Sequence, residues 1–292
     1  MNRLFDYAVT GGDLRQIYLV NALLKAGKTV VCAGLTHSAL SPAARLVSSF
    51  AEAAARSETI LCPIPLSKNG RDIQTMGASP DDATLEGLLS SLHPPHTLIG
   101  GAFPTFAANR LALAGIRSVD LMERDDVALL NAVATAEGCI ALAIEKSAVN
   151  LHCSDALILG FGRCAQVLAK KLAGLDARVC VAARGERAPA LAKALGLEAV
   201  ALEDIGSHLA RFDYVFNTIP APVLGREQLL RTKPDGVILD IASAPGGIDF
   251  EAAKELGLDA TLCPGLPGRY APKTSGEILA DTVLKLAEPV KA

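Results

Sequence analysis

Tryptophan is absent and aromatic residues make up only 4% of the 292-residue chain, although half of it is hydrophobic. The apolar content is therefore mostly Ala, Leu, Val and Ile, the side chains that suit helices packed on parallel strands. Charge of one sign is not in excess either: 28 Lys and Arg stand against 31 Asp and Glu, a net charge of −3. The basic residues are scattered, and without a basic stripe a nucleic-acid partner is not expected; small molecules are. The start, Met1-Asn2-Arg3-Leu4-Phe5-Asp6, lacks the apolar core of a signal peptide, and no apolar run reaches the roughly 18 residues that span a bilayer. The expectation is a cytoplasmic protein with no membrane partner.

The seven cysteines are an odd number. Cys32, Cys62, Cys180 and Cys263 end or interrupt apolar, strand-like runs, where a reduced thiol acts as a small hydrophobe. There is no C-x-x-C pair, and His37, His93, His96, His152 and His208 are dispersed, so no metal site is expected.

What the chain does have is alternation. Short apolar runs follow longer amphipathic stretches along nearly all of it, the pattern of strand-helix-strand units on parallel sheets, and the length suits two domains. Strands are expected near 5–10, 28–33, 58–62, 96–100 and 116–121, with helices near 13–26, 41–55, 81–92 and 104–114. Residues 63–79, with Lys68, Asn69, Gly70, Arg71 and Asp72, form the one long loop. One helix then covers about 123–147, with acids in its first turn and Lys146 in its last. A second series places strands near 156–160, 178–182, 213–217, 236–241 and 258–262, and a closing helix over 274–287 returns to the first domain. The fold class is α/β, with two Rossmann-like, doubly wound parallel-sheet domains joined by a long helix. The boundaries are 1–122 with the closing helix 274–288, a connector over 123–150, and a dinucleotide-binding domain over 151–273.

The run Asp155-Ala156-Leu157-Ile158-Leu159-Gly160-Phe161-Gly162-Arg163-Cys164-Ala165 is a strand that ends in G-x-G-x-x-A and opens into a helix. That context makes the motif specific. Gly160 permits the tight turn, Gly162 lets the backbone approach a pyrophosphate, Arg163 and Cys164 begin the helix whose N–H groups face the anion, and Ala165 keeps helix and strand close. The next strand ends in Arg184, with Arg187 following, where an acid would hold the ribose of NAD; a cation there suits the 2′-phosphate of NADP, with NAD the less favoured cofactor. Thr218, Ile219 and Pro220 end the following strand and are placed along the nicotinamide half, with Ala242 and Ser243 in a loop of small residues after Asp240. Asp240 is either part of that surface or a loop-capping carboxylate.

Several runs now carry a resemblance: Gly11-Gly12-Asp13-Leu14-Arg15-Gln16, Glu123-Arg124-Asp125-Asp126 with Asn131, Thr135, Glu137 and Gly138, Asn217-Thr218-Ile219-Pro220, Pro245-Gly246-Gly247, Pro264-Gly265-Leu266-Pro267-Gly268, and the run from Ala271 to Leu279. Over nearly its whole length the chain resembles the A-subunit family of the dipicolinate synthases of spore-forming bacteria. The resemblance implies NADP-dependent oxidation of dihydrodipicolinate to dipicolinate, partnership with a flavoprotein-like B subunit, and a place in the mother cell during sporulation; it leaves a homo-oligomer open.

Such a reaction needs a hydride acceptor, a proton acceptor and anion-binding groups for a small dicarboxylate. For the carboxylates the candidates are Gly12, Asp13 and Arg15 at a glycine turn, Arg124, and Gly265 and Lys273 in the Pro-Gly-rich loop. The plainer readings make Asp13 a helix cap and Arg15 a solvated residue, or the turn a degenerate dinucleotide loop without ligand, and Lys273 a partner for a surface acid. Asn131 and Thr135 lie one helical turn apart and are candidate catalytic residues facing a cleft, or else bond neighbouring helices. Glu137, elsewhere on that helix, is a base or a solvated acid, while Glu123 serves the helix dipole. A dehydrogenase of another small carboxylic acid would keep the cofactor loop but not the Gly12-Asp13 turn or the loop at Gly265. A non-catalytic NADP-binding redox sensor would need no polar stripe at Asn131 and Thr135.

Overall fold

A computed structural model of the chain describes residues 5–287. The first half runs β1 (Tyr7–Thr10), α1 (Leu14–Lys25), β2 (Val30–Ala33), β3 (Arg45–Leu46), α2 (Phe50–Ala54), β4 (Thr59–Leu61), α3 (Leu85–Ser91), β5 (Thr97–Gly100), α4 (Thr105–Leu113) and β6 (Arg117–Asp120). The long helix α5 (Asp125–Lys146) follows. The second half runs β7 (Asp155–Leu159), α6 (Arg163–Gly174), β8 (Arg178–Ala183), α7 (Arg187–Ala194), β9 (Glu198–Ala201), β10 (Tyr214–Asn217), α8 (Arg226–Leu229), β11 (Val237–Asp240), α9 (Phe250–Glu255), β12 (Asp259–Leu262), α10 (Leu266–Tyr270) and α11 (Pro272–Ala287).

Two compact units result: the chain through Leu130 together with the stretch from Ala271, and Asn131–Tyr270. Each holds one all-parallel six-stranded sheet, β3-β2-β1-β4-β5-β6 in the first unit and β9-β8-β7-β10-β11-β12 in the second. The two orders are the same, so each sheet reverses its winding once, between β1 and β4 and between β7 and β10. At that point the two loops leaving the carboxyl ends diverge and open a crevice, the usual ligand position of such sheets.

The strands read as unbroken apolar runs because both faces are covered. In the first sheet Ala8, Val31, Ile60 and Leu98 point to one core, and Val9, Cys32, Leu61 and Ile99 to the other. In the second, Ile158, Val181, Phe216 and Leu239 alternate in the same way with Leu157, Cys180, Val215 and Ile238. α11 returns to the first unit, where Leu279, Ala280 and Val283 join the cluster built around Ile17, Val20 and Leu23 of α1. Gly276 makes that contact close: a Cβ there would run into the Arg15 carbonyl and come within 2.9 Å of Tyr18.

Three elements differ from expectation. Residues 41–55 are not one helix: a turn closes from Ala44 N–H to the Ser41 carbonyl, two exposed residues form β3, and Ser49 then caps the short α2. β9 is an addition that local pattern does not announce, because it is a four-residue edge strand with exposed and half-buried positions and no alternation. The Pro264–Tyr270 segment closes into α10 rather than staying a loop. The expectation of no membrane-length apolar segment is also corrected. α5 is long and apolar enough to cross a bilayer, because apart from Glu137 its charges cluster at its ends and Ala fills its interior. More than half of its apolar stretch is buried in the fold.

At the amino ends of the second sheet, Asp155 accepts hydrogen bonds from Arg178 (2.6 and 3.2 Å) and Arg211 (3.0 Å), and Arg211 continues to Glu198. The hydrogen bonds from Arg178, and next those from Arg211, hold the Asp155 carboxyl below its ordinary value against the cost of burial. A carboxylate whose folded value is depressed stabilises the fold fully above its unfolded value of about 4, and that contribution disappears as pH falls through the folded value. Asp155→Ala is expected to cost about 1–3 kcal/mol in urea unfolding at neutral pH. The gap to the unsubstituted protein should narrow below about pH 4; a gap that is absent at neutral pH, or constant down to pH 3, contradicts the assignment.

Candidate active site

The turn between β7 and α6 is built to be empty of its own chain. Gly160 has φ of +90°, and a Cβ there would lie 2.6 Å from Thr218 Oγ1 and 3.0 Å from the Ile219 side chain, so no other residue fits the crevice wall. Gly162 is the N-cap of α6 and, having no side chain, makes no side-chain cap hydrogen bond. A Cβ built on Gly162 meets nothing within 4 Å. The positive end of a 12-residue helix without a side-chain cap and open space therefore coincide at one point, which fits a pyrophosphate. Phe161 is buried and its carbonyl is held by Gln166 Nε2 at 3.0 Å, fixing the turn. Arg163 is exposed beside it. Cys164 is half-buried, and burial pushes its thiol up, so it is a wall of the turn rather than a nucleophile.

β8 lies beside β7, and Gly160 N–H reaches the Ala182 carbonyl at 2.8 Å, so the residues after Ala183 rim the same crevice. Arg184 and Arg187 are both exposed there, and neither takes part in the ion pairs of the described residues. Glu186, also exposed, stands between them.

On the other side of the switch point the loops after β10 and β11 are stapled by two fully buried side chains. Asp240 accepts from Asn217 Nδ2 (2.9 Å), Ala242 N–H (3.0 Å) and Gly247 N–H (2.8 Å). Asn217 also donates to the Ile219 carbonyl and accepts from Ile219 N–H, both at 3.0 Å. Asp240 is thus the loop-capping carboxylate of the two alternatives, and Asn217 is its partner rather than a surface group. Together they hold Thr218, Ile219, Pro220, Ala242 and Ser243 in place. Gly247 is required by close approach, since a Cβ would meet Asn217 Nδ2 at 2.6 Å and two carbonyls within 2.8 Å.

The corresponding turn of the first sheet is filled. Gly12 N–H donates to the Gln74 carbonyl at 2.6 Å, Met76 N–H to Gly34 and Thr36 N–H to Met76, and Leu35 pairs with Met76 as a parallel bridge. Residues 74–76 therefore run across the carboxyl ends of β1 and β2. Gly11, at φ +68°, permits this, for a Cβ would meet the Gln74 carbonyl at 2.5 Å. Asp13 caps α1 with a complete capping box through Gln16. Arg15 is not a solvated clamp: it is 6% exposed and bonds Asp13 (2.8 and 2.9 Å) and the Ile64 carbonyl (2.5 Å). Burial raises the Asp13 carboxyl, but Arg15, and more weakly Lys68, bring it below its usual range. The expected carboxylate site at Gly12, Asp13 and Arg15 is thus closed from within and presents an acid. The glycine spacing Gly11, Gly34 and Gly77, all at positive φ against segment 73–77 or its support, is the signal of this closure that the sequence carries.

The remaining candidates scatter. Arg124 is bound to Asp126 at 2.9 Å. Thr135 spends its hydroxyl on the Asn131 carbonyl one turn back, and Asn131 is buried. Glu137 is exposed and paired with Lys171 of α6 at 2.8 Å, so it ties two helices together instead of serving as a base. Gly265, at φ +69°, turns the chain into α10 in the second unit, and Lys273 is exposed at the start of α11 in the first. No group of three or more His, Cys, Asp or Glu residues among those described is placed to hold a metal ion.

Residues 6–122 match the N-terminal domain of the dipicolinate synthase A subunits, and residues 141–256 match the shikimate / quinate 5-dehydrogenase family. The chain is 32% identical to the dipicolinate synthase A subunit of Bacillus subtilis (strain 168) over 98% of its own length and 96% of that protein. Its fold is similar to the solved structure of the dipicolinate synthase A subunit from Bacillus halodurans, with a TM-score of 0.87, 30% identity, and 97% and 98% of the two chains covered. A transhydrogenase from Sinorhizobium meliloti, 19% identical, shares the fold with a TM-score of 0.69 over 96% of this chain and 93% of that one. The second unit is a nicotinamide cofactor-binding domain of the dehydrogenase type.

Asp240→Ala removes the acceptor of three donors: the buried Gly247 N–H, the half-buried Ala242 N–H, and Asn217 Nδ2, which keeps only the Ile219 carbonyl. It is expected to destabilise the protein by about 2–4 kcal/mol and to weaken dinucleotide binding. Calorimetry and nucleotide titration check both effects, and unchanged stability would contradict the stapling role.

Proposed function

The chain belongs to the family of dipicolinate synthase A subunits, and on that premise we propose that it oxidises dihydrodipicolinate to dipicolinate with NADP as hydride acceptor. The observation that carries the reading is the turn at Gly160–Gly162, without a side-chain cap and open at Gly162, with two unpaired arginines at the neighbouring strand end. The N–H groups at the start of α6 hold the pyrophosphate, while Arg184 and Arg187 take the 2′-phosphate, a dianion that a guanidinium matches well. Glu186 is the only acid near them in sequence, and the arginines outnumber it.

Bound along the loops after β10 and β11, a nicotinamide ring would supply the acceptor for the hydride that leaves the dihydropyridine ring. The protein's share is to hold: the Asn217–Asp240 staple fixes the two loops along the nicotinamide half, so the ring is positioned without reorganisation at the moment of transfer. Aromatisation supplies much of the driving force, and the accompanying proton leaves to an acceptor other than Glu137, which Lys171 holds. Membership in a family of A subunits implies a second kind of chain as partner. The reading makes this the flavoprotein-like B subunit, with the pair in the mother-cell cytoplasm.

Arg184→Asp should lower the ratio of NADP to NAD affinity at least about tenfold, or about 1.4 kcal/mol. An unchanged ratio would remove the phosphate assignment. Purified chain, with and without the candidate B subunit, should generate reduced-nicotinamide absorbance in step with pyridine dicarboxylate when given NADP and freshly made dihydrodipicolinate. Tight NADP binding with no turnover of that substrate in either preparation would defeat the substrate reading.

A further inference from the structure

The second unit has a cavity of about 400 Å³ against β12, the outermost strand of its sheet. That volume lies within the roughly 300–1,000 Å³ of small-molecule sites. None of the residues assigned above to the nucleotide lines it.

Three elements build the cavity. α10 packs on α5 at Gly138, where a Cβ would come within 2.6 Å of the Tyr270 ring and 3.2 Å of Leu266. One and two turns further along the same stripe of α5, Leu142 and Glu145 face the open space. Leu262 and Pro264 line it from the end of β12, and Leu266 and Arg269, one turn apart, from α10. Leu142 and Leu266 are buried, so the floor is apolar, whereas Leu262 is 48% exposed and is left for a ligand to cover. Cys263, also in the wall, has its thiol pushed up to about 11 by burial and stays a neutral, hydrophobe-like surface.

The charges around this floor are not equivalent. Lys146 is bonded to Asp259 at 2.8 Å. Glu145 and Arg269 have no ion-pair partner among the described residues, and although they line one cavity they are not paired with each other. The Arg269 guanidinium stands over the Tyr270 ring, 5.1 Å from its centre. The ring holds the face of the guanidinium and leaves its N–H edge for a carboxylate. Glu145 sits in the last turn of the 22-residue α5, where the negative end of the helix adds to its carboxylate and favours a cation. A ligand of one sign would use only one of these groups. A ligand with both signs on an apolar body uses every wall.

We propose that this cavity is a binding site for a free α-amino acid with an apolar side chain, its carboxylate on Arg269, its ammonium on Glu145 and its side chain on Leu142, Leu262 and Leu266. The site is separate from the dinucleotide turn, and the assignment stands or falls independently of the substrate reading above.

Calorimetric titration of L-leucine, L-methionine and L-phenylalanine in turn into full-length protein tests it. At least one should bind with a dissociation constant of about 1 mM or tighter. For that amino acid, Arg269→Gln and Glu145→Gln should each weaken binding at least about fivefold, and the same compound lacking its amino group, or lacking its carboxylate, should bind at least about fivefold more weakly to the unsubstituted protein. Both variants should keep the unsubstituted unfolding midpoint, because neither side chain has an ion pair to lose. Uptake of none of the three amino acids overturns the assignment. So does an affinity that stays within about twofold when either variant is used or when the amino group is removed.

Discussion

The first turn of a helix leaves backbone N–H groups without partners inside the helix, and every other feature of the two crevices follows from how they are satisfied. Both sheets place such a turn at the same topological position. In the first unit the chain satisfies it with the Asp13–Gln16 capping box, and the Gln74 carbonyl takes the Gly12 N–H just ahead of the helix. In the second unit the N-cap, Gly162, has no side chain with which to do so. A fold can bury one such turn with itself and leave the other as a standing demand for an anion. That asymmetry, rather than any difference in strand order, separates the nucleotide unit from its counterpart.

The contrast extends to charge. Filling the first turn with Asp13 puts a carboxylate where a ligand's phosphate would go, so Arg15 is drawn inward to balance it, and the pair becomes internal structure. The second turn has no carboxylate to balance, and Arg184 and Arg187 at the neighbouring strand end remain unpaired and exposed. Unpaired guanidinium groups at a surface cost little, because water solvates them, and they are then available to a dianion.

How much of this is legible in the sequence depends on range along the chain. Gly160, Gly162 and Ala165 act within one strand-turn-helix, so their spacing announces the turn, and the fold class follows from alternation alone. The strand pairings, by contrast, are not written in local pattern: β3 and β9 are short edge strands whose ladder bonds come from distant neighbours. Arg15 reads as a free cation in sequence because its partners, Asp13 and the Ile64 carbonyl, include one 49 positions away. Glu137 reads as a candidate base for the same reason, since Lys171 lies 34 positions on. A lone sequence shows which residues carry charge; only the fold shows which charges are already spent.

The helix α5 shows the same limit in composition. It contributes Val127 to the core of the first unit and Ala136, Cys139 and Ala143 to that of the second, so it has to present small residues on successive faces. Gly138 marks the tightest approach, for a Cβ there would come within 2.6 Å of the Tyr270 ring. Small apolar residues raise mean hydropathy without adding bulk, which is how a helix that packs in two cores acquires the composition of one that crosses a membrane. Its charged residues then have to sit where they meet partners, and they do so at its ends and at Glu137: Arg124 with Asp126 just before the first turn, Lys146 with Asp259 at the last, and Glu137 with α6 between them.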